Sequence, residues 1–208
     1  MKYIQEDYSG MDSEDSKVFI ESIPFLKQAG IEQYLLEVLQ HNVKAISVYS
    51  KLGFTVSREF NYFVQDVTEI QVVAKNMPDT IQIRTTDLAE KAIMMKCWDF
   101  IPSWQNSFDA IERNLADFQI VGAFQNDRLV GYGIIDPVWG DISQIAVDKE
   151  YRRQGVGTCI LKELTDRNQY SQLQLINTET TCESITSFFE KSGITKRGMQ
   201  FEMIKDLT

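Results

Sequence analysis

Four residues in one short loop are the best suited to chemistry in this 208-residue chain. Arg152, Arg153, Gly155 and Gly157 stand in the run Arg-Arg-Gln-Gly-Val-Gly-Thr (152–158), which the four residues Asp148 to Tyr151 separate from an apolar run that ends in Ile145-Ala146-Val147. Glycine reaches positive φ and lets a ligand approach the backbone. Successive N–H groups with a helix start behind them form an anion site, and arginine adds fork-like charged donors. A diphosphate fits such a cradle. The spacing is neither G-x-x-x-x-G-K-[ST] nor G-x-G-x-x-G, which disfavours P-loop nucleotidases and dinucleotide folds.

Other chemistries lack their parts. His41 is the single histidine, and no G-x-S-x-G run accompanies it, so a Ser-His-Asp hydrolase is excluded. Cys97, Cys159 and Cys182 form no C-x-x-C pair, which argues against a disulfide framework or a metal centre. A formal net charge of −9 repels phosphate backbones, so no nucleic-acid partner is expected, although a cationic substrate would be favoured. With 43% hydrophobic and 25% charged residues, no long apolar run and no leader-like opening, the chain reads as cytoplasmic, with no membrane partner.

The elements that position the loop follow from periodicity. A strand over 141–147 enters it and a helix over about 157–169 leaves it. Before them come a strand (81–84) and a helix begun by an Asp87/Glu90 capping box and running to about 100. A break at 101–107 leads to a helix with Phe108, Ile111, Leu115 and Phe118 inward, then to a hairpin of 120–124 and 129–135. After the loop come a strand (172–177), a helix (183–192) and a strand (194–205). The order makes an α+β domain, a mixed central sheet with helices on both faces. Residues 1–66 form a separate segment. It has a helix over 17–30 kinked at Pro24, a strand over 31–39, a helix capped by Asn42 and stopped by Gly53, and one or two strands over 54–63. Residues 67–80, ending in Asn-Met-Pro-Asp, are the linker, and 81–208 the complete domain.

The loop, the preceding Ala146-Val147 and the closing Lys191-x-Gly193 resemble the GNAT superfamily of acyl-CoA-dependent N-acetyltransferases over residues 81–208. The resemblance implies that the cofactor is acetyl-CoA. Ile145, Ala146, Val147 and the residues Arg152, Arg153, Gln154, Gly155, Val156, Gly157 and Thr158 would hold its pantetheine and diphosphate. It also implies that strands 141–147 and 172–177 splay apart to admit the thioester arm.

The chain also repeats itself. With Gly53 set against Gly193, 140 positions on, Leu35/Leu175, Ser47/Ser187, Lys51/Lys191 and Thr55/Thr195 coincide. The first copy carries Leu36-Glu37-Val38, Asn42, Ala45, Tyr49, Lys51, Gly53 and Phe54, which is similar to the end of many GNAT domains. Residues 1–66 are therefore read as a degenerate half-GNAT β-α-β-α-β unit. Its loop position holds Gly-Met-Asp-Ser-Glu-Asp-Ser (10–16), whose carboxylates would repel a diphosphate. A half sheet exposes an edge, so this unit is expected to pack on the complete domain or on a second chain in a homodimer.

The second copy departs from the family at the reacting centre. Phe189 stands where a tyrosine often protonates the leaving thiolate, and Asn177 where a glutamate can act as base. Both remain expected cofactor contacts. Asp141, at the position of the glutamate of the histone-acetylating branch, is a candidate base or a solvated turn residue. Tyr132 is a candidate acid or a core tyrosine. The connection 98–107 lines the acceptor pocket in the family, so Trp104, Gln105 and Asn106 are the expected contacts to a small-molecule or peptide amine. Trp98 reads equally as core, and Ser107 as an N-cap. Two readings stay open: acetyl transfer to an amine by direct attack, or a non-catalytic acyl-CoA-binding module.

Overall fold

The computed structural model describes residues 13–70, 72 and 77–207, with the backbone alone for 13–19. In chain order the helices are α1 (Ser13–Gln28), α2 (Val43–Lys51), α3 (Lys91–Met94), α4 (Phe108–Arg113), α5 (Val156–Arg167) and α6 (Glu183–Lys191). The strands are β1 (Gln33–Leu39), β2 (Thr55–Asp66), β3 (Ile81–Thr85), β4 (Gln119–Gln125), β5 (Arg128–Asp136), β6 (Asp141–Val147), β7 (Gln172–Glu179) and β8 (Lys196–Asp206).

Two compact units result. One comprises the residues up to Phe60 together with Gly198 onward, the other Asn61–Arg197. The strands β2 and β8 each contribute to both. In the first unit β1, β8 and β2 pair in that order, with β1 and β8 antiparallel from Gln33↔Asp206 to Leu39↔Gln200. Val38, Ala45, Tyr49, Phe54 and Met203 form its core. The repeated segment does not keep its own sheet to itself, because the last strand of the chain completes it. A strand ahead of α1 and residues 10–12 of the acidic run lie outside the described residues, whereas residues 13–16 of that run open α1.

The second unit has the strand order β2-β7-β6-β5-β4-β3. Strands β3 to β6 are antiparallel neighbours, and β6 and β7 run parallel. The alternation of β5 separates two cores. Val130 and Ile135 pack under Ile160, Leu161 and Leu164 of α5 and Phe189 of α6. Leu129, Tyr132 and Ile134 face Met94, Phe108 and Ile111 of the α3–α4 region. Helices therefore cover both faces of a mixed sheet, as expected.

Two helices are shorter than their sequence pattern suggests. Asp87 does cap a turn, accepting from Ala89 N–H at 2.8 Å, but the helical path ends at Cys97 rather than near 100. Trp98 turns extended at ψ 142°, and its indole N–H is committed to Tyr132 in the core. Ser107 caps α4 through Ala110 N–H, yet α4 stops at Arg113 and leaves Leu115 exposed. Leu115 is in register with Ile111, but Asn114 leaves the helical path at φ −133° before it, so Leu115 is not buried.

Candidate functional site

Parallel strands pair along their length unless something holds them apart. Here β6 and β7 meet at Asp141↔Gln174, where Gln174 N–H also reaches the Gly140 carbonyl at 2.8 Å. Beyond that point, among the described residues, no further register pair joins them. Ser143 is an extra residue of β6, since Ile142 faces Ile135 and Gln144 faces Ile134. Such a bulge bends a strand away from its neighbour. A cavity of about 810 Å3 opens in the gap. Its walls include Ser143 to Val147 of β6, Leu175 to Thr178 of β7, and the loop glycines Gly155 and Gly157.

The loop is built as a cradle. Asp148 accepts from Glu150 N–H and pairs with Arg128, and Tyr151 donates to Gln125 at 2.7 Å, which pins its outer arm. Arg153 (φ 64°) and Gly155 (φ 84°) then turn the chain left-handed so that α5 can begin at Val156. The first N–H groups of α5 have no acceptor within the helix, and its dipole favours an anion there. Gly157 is different. A Cβ there would meet Phe188 and Val147 only at ordinary contact distance, so packing does not demand glycine. Gly157 lines the cavity.

The connection between α3 and α4 stitches the split strands together. Gln144 of β6 donates to the Asn106 carbonyl at 2.6 Å, and the Asn106 side chain donates to the Ile176 carbonyl of β7 at 3.0 Å. Asn177, left-handed at φ 63° and buried, donates to Ser103 Oγ at 2.9 Å. Behind them the Tyr132 hydroxyl donates to Gln144 Oε1 and accepts from the Trp98 indole. Burial drives the Tyr132 phenol far above its ordinary range.

The expected residues divide into those on the cavity wall and those off it. Ile145, Ala146, Val147, Arg152, Arg153, Gly155, Gly157, Thr158, Asn177, Asn106 and Tyr132 are on it. Val156 is on the core side of the helix, and Gln154 turns outward to the Glu150 carbonyl. Phe189 packs against Phe63 with ring centres 5.4 Å apart, and its neighbour Phe188 takes the wall position. Trp104 and Gln105 stand behind the wall, with Trp104 Nε1 and Gln105 Oε1 buried. Asp141 sits at the closed end of the split. Burial first, then the nearby Asp136 carboxylate, push its pKa up to about 7 against the pull of a Gln174 hydrogen bond. Asp99, Ser103, Gln144 and Phe188 were not foreseen as site residues. A buried glutamine inside the apolar run of β6 was the one visible sign of a polar network.

Among the described residues no cluster of side chains could hold a metal ion, and no helix is long and apolar enough to cross a membrane. Comparison with known proteins agrees with this geometry. No curated protein matches the chain. Solved structures share its fold, among them these three. A GCN5-related N-acetyltransferase from Sphaerobacter thermophilus is 15% identical, with a TM-score of 0.65 over 98% of this chain and 71% of that one. One from Kribbella flavida is 13% identical, with a TM-score of 0.68 over 94% and 77%. A tandem GNAT protein from the clavulanic acid biosynthesis pathway is 12% identical, with a TM-score of 0.67 over 92% and 69%. Residues 116–193, which hold β6, the loop, α5, β7 and α6, match the family described as Acetyltransferase (GNAT) domain.

Proposed function

We infer that the protein transfers an acetyl group from acetyl-CoA to a primary amine by direct attack within a ternary complex. The observation that carries this reading is the split between β6 and β7, which opens at its far end onto the cradle of Arg152 to Thr158. Acetyl-CoA, when bound, supplies the activated acyl group. The loop amides and Arg152 take its diphosphate, and the free edge of β6 at Ile145 to Val147 aligns the pantetheine arm. Holding an amine against a thioester in this way contributes several kcal/mol, on the order of 7–11 in favourable cases. Two cysteines, Cys97 and Cys182, line the wall, and direct attack fits the state of Cys97. Burial pushes the Cys97 thiol up to about 11, so it is not a thiolate that could carry the acyl group.

Asp141, with a pKa near 7, is suited to accept the ammonium proton through water, and Tyr132 is the candidate acid on the wall, although burial makes its phenol a weaker proton donor. Trp104, Gln105 and Asn106 shape the acceptor side, and the protein works in the cytoplasm. Residues 1–66 are a degenerate half-GNAT unit that does not bind the cofactor. A second reading has one observation in its favour. Neither Asp141 nor Phe189 is on the cavity wall, as expected of a domain that binds acyl-CoA without turning it over. Steady-state acetylation over an amine library separates the two. Turnover that falls in Asp141→Asn supports the enzyme, whereas tight CoA binding without turnover on any amine supports the binding module. CoA stabilisation that survives both Arg152→Glu and Gly155→Asp would overturn the loop assignment.

A further inference from the structure

Asp99 places a carboxylate on the guanidinium that faces the cavity. Arg152 Nη1 reaches one Asp99 oxygen at 2.9 Å and Nη2 the other at 3.1 Å. Two further donors of Arg152 go to carbonyls, Nε to Val147 at 2.9 Å and Nη2 also to Cys97 at 3.4 Å. A two-pronged arginine–carboxylate pair has the geometry with which arginine also takes phosphate oxygens. The same Asp99 accepts from Ser184 Oγ, in the first turn of α6, at 3.0 Å, and Lys149 lies 4.0 Å away. Asp99, Arg152 and Ser184 all line the cavity.

The structure assigns Asp99 as an internal anion seated on Arg152, which the diphosphate of CoA must displace. The assignment rests on the acetyl-CoA reading above. Two features make the exchange feasible. The pair is only partly buried, with side-chain exposures of 28% for Arg152 and 26% for Asp99, so water can take over each group as it leaves. After release, Asp99 keeps Ser184 and Lys149 as partners and is not left as an orphan charge. Asp99 also begins the connection whose other end ties β6 to β7 through Asn106, so the exchange touches the segment that closes the cavity.

The test is a calorimetric titration of the full chain with CoA in four forms: wild type, Asp99→Asn, Arg152→Gln and the double variant. Removing the competitor should tighten CoA binding by about threefold to tenfold, the range for a solvent-screened pair of good geometry. The gain should vanish in the Arg152→Gln background. Unchanged or weaker binding by Asp99→Asn overturns the assignment, as does an equal gain without Arg152, which would mean simple relief of negative charge. Asp99→Ser provides a smaller replacement if Asp99→Asn does not fold. Wild-type binding with no Asp99 effect leaves the acetyl-CoA reading intact, while no CoA binding by any form overturns both.

Discussion

Helix α2 begins at Asn42, whose side chain accepts from Ala45 N–H at 3.2 Å, and helix α6, 140 residues on, begins at Cys182, whose side chain caps nothing. Both helices end on a left-handed glycine, Gly53 at φ 88° and Gly193 at φ 78°. Between those ends each buries one aromatic at the same position, Tyr49 in the first and Phe189 in the second. The strands on either side, β1 with β7 and β2 with β8, keep the same spacing to within a residue or two. What separates the segments lies upstream. The second is entered from a basic loop turned left-handed at Arg153 and Gly155, the first from α1, which starts at Ser13 beside an acidic run. The frame is common to both, and among the described residues the left-handed loop ahead of a helix start is found in the second. The exchange of tyrosine for phenylalanine matters less than the sequence suggests, because Phe189 is packed in the core and Phe188 meets the cavity.

The comparison can be broken most forcefully at Arg152. Arg152→Glu puts a second carboxylate beside Asp99. Since charge-assisted hydrogen bonds contribute roughly 1.5–3 kcal/mol each, CoA affinity should fall by about 100-fold or more in a fluorescence or calorimetric titration. Gly157→Ala is subtler. Its Cβ fits the fold, so the melting temperature should hold, while a methyl facing the cavity should weaken CoA binding by about tenfold, or about 1.4 kcal/mol. Equal losses of stability and binding would make Gly157 a packing residue instead.

Phe189→Tyr restores the residue of the first segment. Its hydroxyl would be buried against Phe63, so denaturant unfolding should show a loss of about 1–3 kcal/mol with no gain in acetylation rate. A rate gain would mean that position 189 does reach the reacting centre. Asp141→Asn tests the opposite end of the split. An aspartate whose pKa rises from about 3.9 unfolded to about 7 folded is favoured in its neutral form. Its stabilising contribution is complete below pH 4 and is lost as pH rises through 7. Asp141→Asn should therefore melt higher than wild type at pH 8 and lose the alkaline rise of kcat/KM that a base near 7 produces. The smallest effect is at the helix starts. Asn42→Ala should cost about 1 kcal/mol, and Cys182→Asn should return a few tenths to the uncapped α6.

Much of this was legible in the residues. Alternation and capping gave the strands and the starts of α2 and α4, and the Arg-x-x-Gly-x-Gly spacing gave the loop. Helix ends were harder, because Trp98 leaves its helix for a partner 34 residues away, which no local pattern encodes. The polar network was hidden for the same reason. Asn106 looked like a substrate contact, and it lines the wall, but its carbonyl and amide hold β6 and β7. The shared use of β2 and β8 was invisible too, since periodicity shows that a strand is buried but not which neighbours bury it.

Hydrogen–deuterium exchange with and without saturating CoA tests the central contrast between the two segments. Amides of 145–147 and 153–158 should slow on CoA addition, and those of 33–54 should not change. Protection across 33–54, or none at the loop, would contradict the account.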